Sequence, residues 1–148
     1  MNNPKKLSEP ETFFMALADK TRLRLLNLMR AGEVCVFFLV EALNESQPKI
    51  SRHLAYLRSA RIVEARRDGK WIYYKIAEPE NDFAARVLRD TLLWLDSQEK
   101  MQAEYEKLAK ACRLSDRTLT ITRTLQLDTS ALTNMKRNQS EELEIFLL

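Results

Sequence analysis

Hydrophobic positions recur along the chain first at helical spacing, then in alternation, then helically again. Phe13, Phe14 and Leu17 belong to a short first helix, and Ser8 and Glu11 ahead of them have capping-box spacing. Leu23, Leu26 and Met29 mark the inner face of a second helix over residues 20–30, with Asp19 as its cap and Arg22, Arg24 and Arg30 off that face. Gly32 stands where a left-handed C-terminal cap belongs. Val36, Leu39 and Leu43 predict a third helix ending at Asn44. Ile50, Leu54 and Leu57, at i, i+4 and i+7, predict a fourth. Ser46 caps it, and Pro48 is tolerated in its first turn because the missing N–H needs no partner there. Its opposite face carries Lys49, Ser51, Arg52, His53 and Tyr56.

Beyond this helix the period changes. Residues 62–67 and 70–76 are rich in β-branched and aromatic side chains and flank Asp68-Gly69, which predicts a hairpin with a type I′ turn. Trp71 and Tyr73 share one face, and Trp71 is expected to pack against the helices. After Pro79, a long helix is expected from Asp82 to about Arg113. Phe83, Val87, Leu92 and Leu95 begin its seam, and Met101, Tyr105, Leu108 and Cys112 extend it. Unbroken, that seam is on the order of 45 Å long and asks for a second copy of the chain to cover it. Leu119, Ile121, Leu125 and Leu127 then alternate with threonines and hint at a strand with no evident neighbour. The reading is one mainly α domain with a β-hairpin over residues 8–113. Residues 114–148 form a poorly ordered or weakly docked tail.

Composition narrows the class. A chain of 148 residues with 45% hydrophobic content can bury one core, and two glycines with four prolines favour helices over tight turns. The polar start, two distant cysteines and lack of a bilayer-length apolar run point to a cytoplasmic protein with reduced thiols and no membrane partner. Charge is uneven: residues 47–75 hold eight basic side chains against Glu64 and Asp68, a net +6 in a chain of net +3. A localised basic face attracts a phosphate backbone.

The third and fourth helices, joined by a short turn, have the helix-turn-helix pattern, whose second helix lies in the major groove of duplex DNA. Gln47, Ser51 and His53, near that helix's N-terminus, are candidates for base edges, and Gln pairs bidentately with adenine. Lys49, Arg52, Arg66, Arg67 and Lys70 suit phosphates, which position the protein without reading sequence. His53 is the one histidine of the chain, and zinc partners for it are not apparent. A glycine-rich phosphate loop, a paired-histidine metal site and a nucleophile with a base are all missing, which argues against an enzyme. A protein-interaction module remains the alternative if the basic face is incidental.

Four strings carry a family resemblance: A-D-K-T-R-L-R-L-L from Ala18, G-E-V-C-V from Gly32, S-Q-P-K-I-S-R-H-L from Ser46 and R-R-D-G-K-W-I-Y-Y from Arg66. The region from Phe13 to Ile76 resembles the ArsR/SmtB family of winged helix-turn-helix repressors, most of all its arsenic-responsive branch. The resemblance implies a homodimer that binds an imperfect operator palindrome and leaves it when an inducer, As(III) or Sb(III), arrives. Two departures stand out. Arsenic-responsive relatives commonly carry C-V-C-D-L-C, whereas this chain reads Cys35-Val-Phe-Phe-Leu-Val40, keeping only the first thiol. Cys35 is thus either a reduced metalloid ligand or a small packed residue. Meeting Cys112 in the dimer, it is alternatively part of a soft-ion or redox site, and a DNA-binding regulator without a sensor is the remaining alternative. Relatives also usually have glycine at the position of Arg61.

Overall fold

Asp19 accepts a hydrogen bond from the Arg22 backbone N–H at 2.9 Å and starts the helix around which the others pack. The computed structural model describes residues 9–125, with 115–125 as backbone only. In chain order the described elements are α1 (Pro10–Leu17), α2 (Lys20–Met29), β1 (Val34–Cys35), α3 (Val36–Leu43) and α4 (Gln47–Ser59). β2 (Val63–Asp68), β3 (Trp71–Ile76), α5 (Asp82–Asp96) and α6 (Glu99–Leu125) follow. Leu25 and Leu26 of α2, Leu39 of α3, and Ile50, Leu54 and Leu57 of α4 are fully buried against one another. Each such side chain contributes about 1.5–3 kcal/mol when removed from water.

Helix ends follow local chemistry, with two departures from the sequence reading. Pro10 opens α1 and Glu9 stands at its cap without a side-chain hydrogen bond. The expected cap, Ser8, lies outside the described residues. Gly32 has φ +147°, a value glycine tolerates, but it is not the left-handed cap: α2 closes through Arg30 in a right-handed conformation. Ser46 caps α4 as expected, accepting from the Lys49 backbone N–H. Asn81 caps α5 through two backbone N–H groups, at 2.8 and 3.2 Å.

The hairpin is longer by a strand and shifted at its turn. β1, too short to stand out in the sequence, pairs antiparallel with β3, giving the order β1-β3-β2. Asp68 pairs with Trp71, so the two turn residues are Gly69 and Lys70 rather than Asp68 and Gly69. Only Gly69 takes a positive φ there (+60°), the requirement of a type II′ turn, whereas type I′ would need two such residues. Pleating turns Ile72 and Tyr74 inward and leaves Trp71 and Tyr73 half-buried on the other face, so Trp71 is not a core residue.

The long helix is two helices. It stops at Ser97, whose hydroxyl donates to the Trp94 carbonyl at 2.6 Å, and α6 turns back across α2 and α3. Asn27, fully buried, donates to the Met101 carbonyl at 2.8 Å, and Arg30 pairs with Asp96 at 2.8 Å. Most of the expected seam is therefore spent inside the protomer: Leu95 and Leu108 are buried, and Val87, Leu92, Tyr105 and Cys112 pack on the same core. Phe83, Leu93 and Trp94 instead form the outward apolar face of α5, each more than 60% exposed. The strand hinted at from Leu119 is absent through Leu125, where the backbone remains α6. Without a neighbouring strand, the helix is what satisfies that backbone. Leu127 lies outside the described residues.

Candidate nucleic-acid interface

α3, the turn at Asn44–Ser46 and α4 make the helix-turn-helix. Asn44 ends α3 in the left-handed conformation (φ 51°), which a short polar side chain tolerates, and this swings the chain into Ser46. Along α4 the inner stripe is Gln47, Ile50, Ser51, Leu54 and Leu57. Gln47 is 7% exposed and Ser51 1%, and the Ser51 hydroxyl has no hydrogen-bond partner among the described residues. These two base-edge candidates thus face inward, because Ser51 sits one turn from both Gln47 and Leu54 on the buried stripe.

The solvent-facing edge of α4 is Lys49, Arg52, His53 and Tyr56, again at i, i+3, i+4 and i+7. Arg52 and Tyr56 are exposed, while Lys49 is held 3.0 Å from Glu45 in the turn. Hydrogen bonding from Lys49 keeps the Glu45 carboxyl below its ordinary range, against a smaller opposing effect of burial.

Arg22 is the contributor that sequence reasoning left unassigned. Its guanidinium donates to the Ala16 and Met15 carbonyls at 2.7 and 2.9 Å, stacks 4.1 Å from the centre of the Tyr56 ring, and lies 3.4 Å from His53 Nδ1. Asp19 Oδ1 is 3.6 Å from the same nitrogen. This cluster ties the α1–α2 junction to the outer edge of α4. Burial lowers the His53 pKa; Asp19 works against that, and Arg22, Lys49 and Arg52 reinforce it. Burial opposes the charge on Asp19, yet the Arg22 backbone N–H and the Arg22 and His53 charges together hold its pKa down. The signal for Arg22 in the sequence was its place three residues after a helix cap, which a hydrophobic pattern does not weigh.

In the wing, Arg66, Arg67 and Lys70 are all exposed. Arg66 Nη2 lies 2.6 Å from Glu33 Oε1, with its Nε 3.1 Å from both carboxylate oxygens, and its guanidinium lies 4.6 Å from the Tyr73 ring centre. The hydrogen bond from Arg66 pushes the Glu33 pKa down, and its counterpart pushes Arg66 up. Arg67 donates to the Gly69 carbonyl at 3.1 Å, stiffening the wing tip.

At the other end of α4, Arg61 has φ +60°. The Ile62 N–H bonds the Leu57 carbonyl at 2.9 Å and the Arg61 N–H bonds the Arg58 carbonyl at 3.0 Å, a Schellman close with arginine at the left-handed residue.

The residues of the α3 motif do not fit a metalloid. Cys35, buried at the start of α3, supplies one thiol, whereas Phe37 and Val40 have no donor atom. Phe37 and Phe38 meet edge to face, with ring centres 5.3 Å apart, and Phe38 and Val40 pack on the core. Among the described residues no three His, Cys, Asp or Glu side chains gather in a metal-holding group, and no helix is long and apolar enough to cross a membrane.

Comparison with known proteins agrees with this architecture. A family model described as bacterial regulatory protein, arsR family, matches residues 19–65. The arsenical resistance operon repressor of Escherichia coli (strain K12) is 42% identical over 102 residues, covering 68% of this chain and 86% of that protein. The arsenic resistance transcriptional regulator ArsR1 of Pseudomonas putida is 51% identical over 73 residues, 49% of this chain and 57% of its own length. Among solved structures, the transcriptional repressor BigR from Xylella fastidiosa superposes with a TM-score of 0.52 at 30% identity, over 60% of this chain and 85% of that one. A homodimeric winged helix-turn-helix DNA-binding domain from Mycobacterium bovis gives 0.50 at 32% identity, over 58% and 77% respectively. With its helix-turn-helix, its wing and an extended match to a repressor of the same kind, the chain belongs to the arsR family of bacterial regulatory proteins.

Proposed function

We propose that this chain acts as a homodimeric transcriptional repressor that lays α4 in the major groove of its operator while the wing tip grips the adjoining backbone. The observation that carries the reading is the alignment of Lys49, Arg52, His53 and Tyr56 on one open edge of α4, beside an exposed wing bearing Arg67 and Lys70. His53 is then the remaining base-edge candidate, with Lys49, Arg52, Arg66, Arg67 and Lys70 on phosphates. Gln47 and Ser51 support the helix from within. The test is reversal of charge at Arg52 and Lys70 together, read as retardation of the promoter of its own operon across a salt series. Affinity is expected to fall at least tenfold and the salt dependence to flatten by about two phosphate contacts. Unchanged affinity, or a strictly monomeric protein at working concentration, overturns the proposal.

The relatives named for arsenic resistance make arsenite the first inducer to test, but Phe37 and Val40 argue against release through the α3 motif. A second reading is a two-thiol sensor of Cys35 and Cys112. It is favoured by the packing of α3 on α6: Cys35 directly precedes α3, and Cys112, on α6, packs against the same core. Two thiolates suit one soft cation; alternatively, a peroxide takes two electrons from the pair, forming a disulfide and water. Loss of operator release by arsenite or peroxide in Cys112→Ser supports this reading, and unaltered release removes it.

A further inference from the structure

We infer that Arg24 and Glu104 are positioning residues for DNA binding, which set how readily Lys49 leaves its intramolecular partner for a phosphate. The inference rests on α4 being the DNA-contacting helix. Arg24, on α2, has a side chain only 13% exposed, and its Nε and Nη2 converge on the same oxygen of Glu104, at 2.8 and 2.7 Å. Both donors on Oε1 leave Glu104 Oε2 buried without a hydrogen-bond partner among the described residues. The same guanidinium donates to the Leu43 carbonyl at the end of α3 (3.3 Å) and stands 3.7 Å from Glu45 Oε1 in the turn. The other oxygen of Glu45 holds Lys49 Nζ at 3.0 Å.

Four charges thus run in a line from α6 to the edge of α4, alternating in sign. The two inner ones are shared: Arg24 between Glu104 and Glu45, and Glu45 between Arg24 and Lys49. What one partner gains, the other gives up. Lys49 must part from Glu45 before it can meet a phosphate, and parting is easier when Arg24 takes over the Glu45 charge. Arg24 does so more fully the less Glu104 holds it. Any change in the seating of α6 on α2 therefore alters the availability of Lys49, through charges shielded from water at the Arg24 end.

The sign of the effect separates this from a purely structural role. Glu104→Gln keeps the shape and removes the charge, so operator affinity is expected to rise about threefold to tenfold. A Glu104 that merely anchors α6 would give unchanged or weaker binding. Glu45→Gln alone is expected to strengthen binding similarly, and adding Glu104→Gln to it is expected to change nothing further. An equal Glu104→Gln effect with and without Glu45, or none in either background, overturns the inference. Glu104→Met, uncharged and of similar length with no polar group left to satisfy, repeats the test should the amide variant fold poorly. Labelling of Lys49 by an amine-reactive ester, followed by mass spectrometry without DNA, is expected to accelerate in Glu104→Gln; an unchanged rate counts against the inference. Failure of the wild-type chain to bind any duplex would instead strike the repressor reading.

Discussion

Arg66 closes on Glu33 with Nη2 2.6 Å from Oε1, so one of the exposed cations of the wing is already paired with the residue preceding β1. Glu33→Gln frees it. Operator affinity is expected to rise roughly twofold to fivefold and the salt slope to steepen by about one contact, with neither change in an Arg66→Gln background. Binding titrations at several salt concentrations check this.

Arg61 occupies a left-handed position that costs a side-chain-bearing residue about 1 kcal/mol relative to glycine. Arg61→Gly is expected to raise the unfolding free energy by that amount, visible as a higher denaturant midpoint at constant slope.

Ser51 offers a sharper decision. Its hydroxyl is buried and unpartnered among the described residues, so Ser51→Ala removes a desolvated polar group and is expected to leave stability equal or about 1 kcal/mol higher. Operator affinity is expected to stay the same. A marked loss of affinity would return Ser51 to the DNA-contacting face.

His53 gives the pH dependence. Its folded pKa lies below the ordinary 6.5, so between the two values the unfolded chain binds more protons. Stability therefore rises with pH through that window and declines on acidification from neutrality. Urea titrations between about pH 5 and 7 are expected to show this slope in the wild-type chain and a flatter one in His53→Gln. Asp19, held below its ordinary 3.8, acts in the same direction at lower pH: its stabilisation is present above that value and lost as pH falls through the lower folded value.

The sequence made α2, α3, α4 and the wing legible because each announces itself locally. Leu54 and Leu57 repeat at helical spacing, Asp19 and Ser46 cap, and one glycine marks the hairpin. Sequence and structure part where partners decide. Ser51 reads as outward because it is polar, although its angle on the helix is that of the core. The break at Ser97 has no proline or glycine to signal it and exists because Arg30 holds the end of α5, and Asn27 and Arg24 hold α6, against α2. β1 is two residues long and is defined only by its bonds to β3. The Asp19–Arg22–His53–Tyr56 cluster joins residues far apart in the chain, which periodicity does not see.

The turn at Ser97 has a bearing on how copies come together. Because α6 folds home, each subunit closes its own interior and keeps Phe83, Leu93 and Trp94 for company outside. A second copy seated on that face is expected to cover those rings and leave each interior as it stands, so that on dilution the mass falls while the circular dichroism is unchanged.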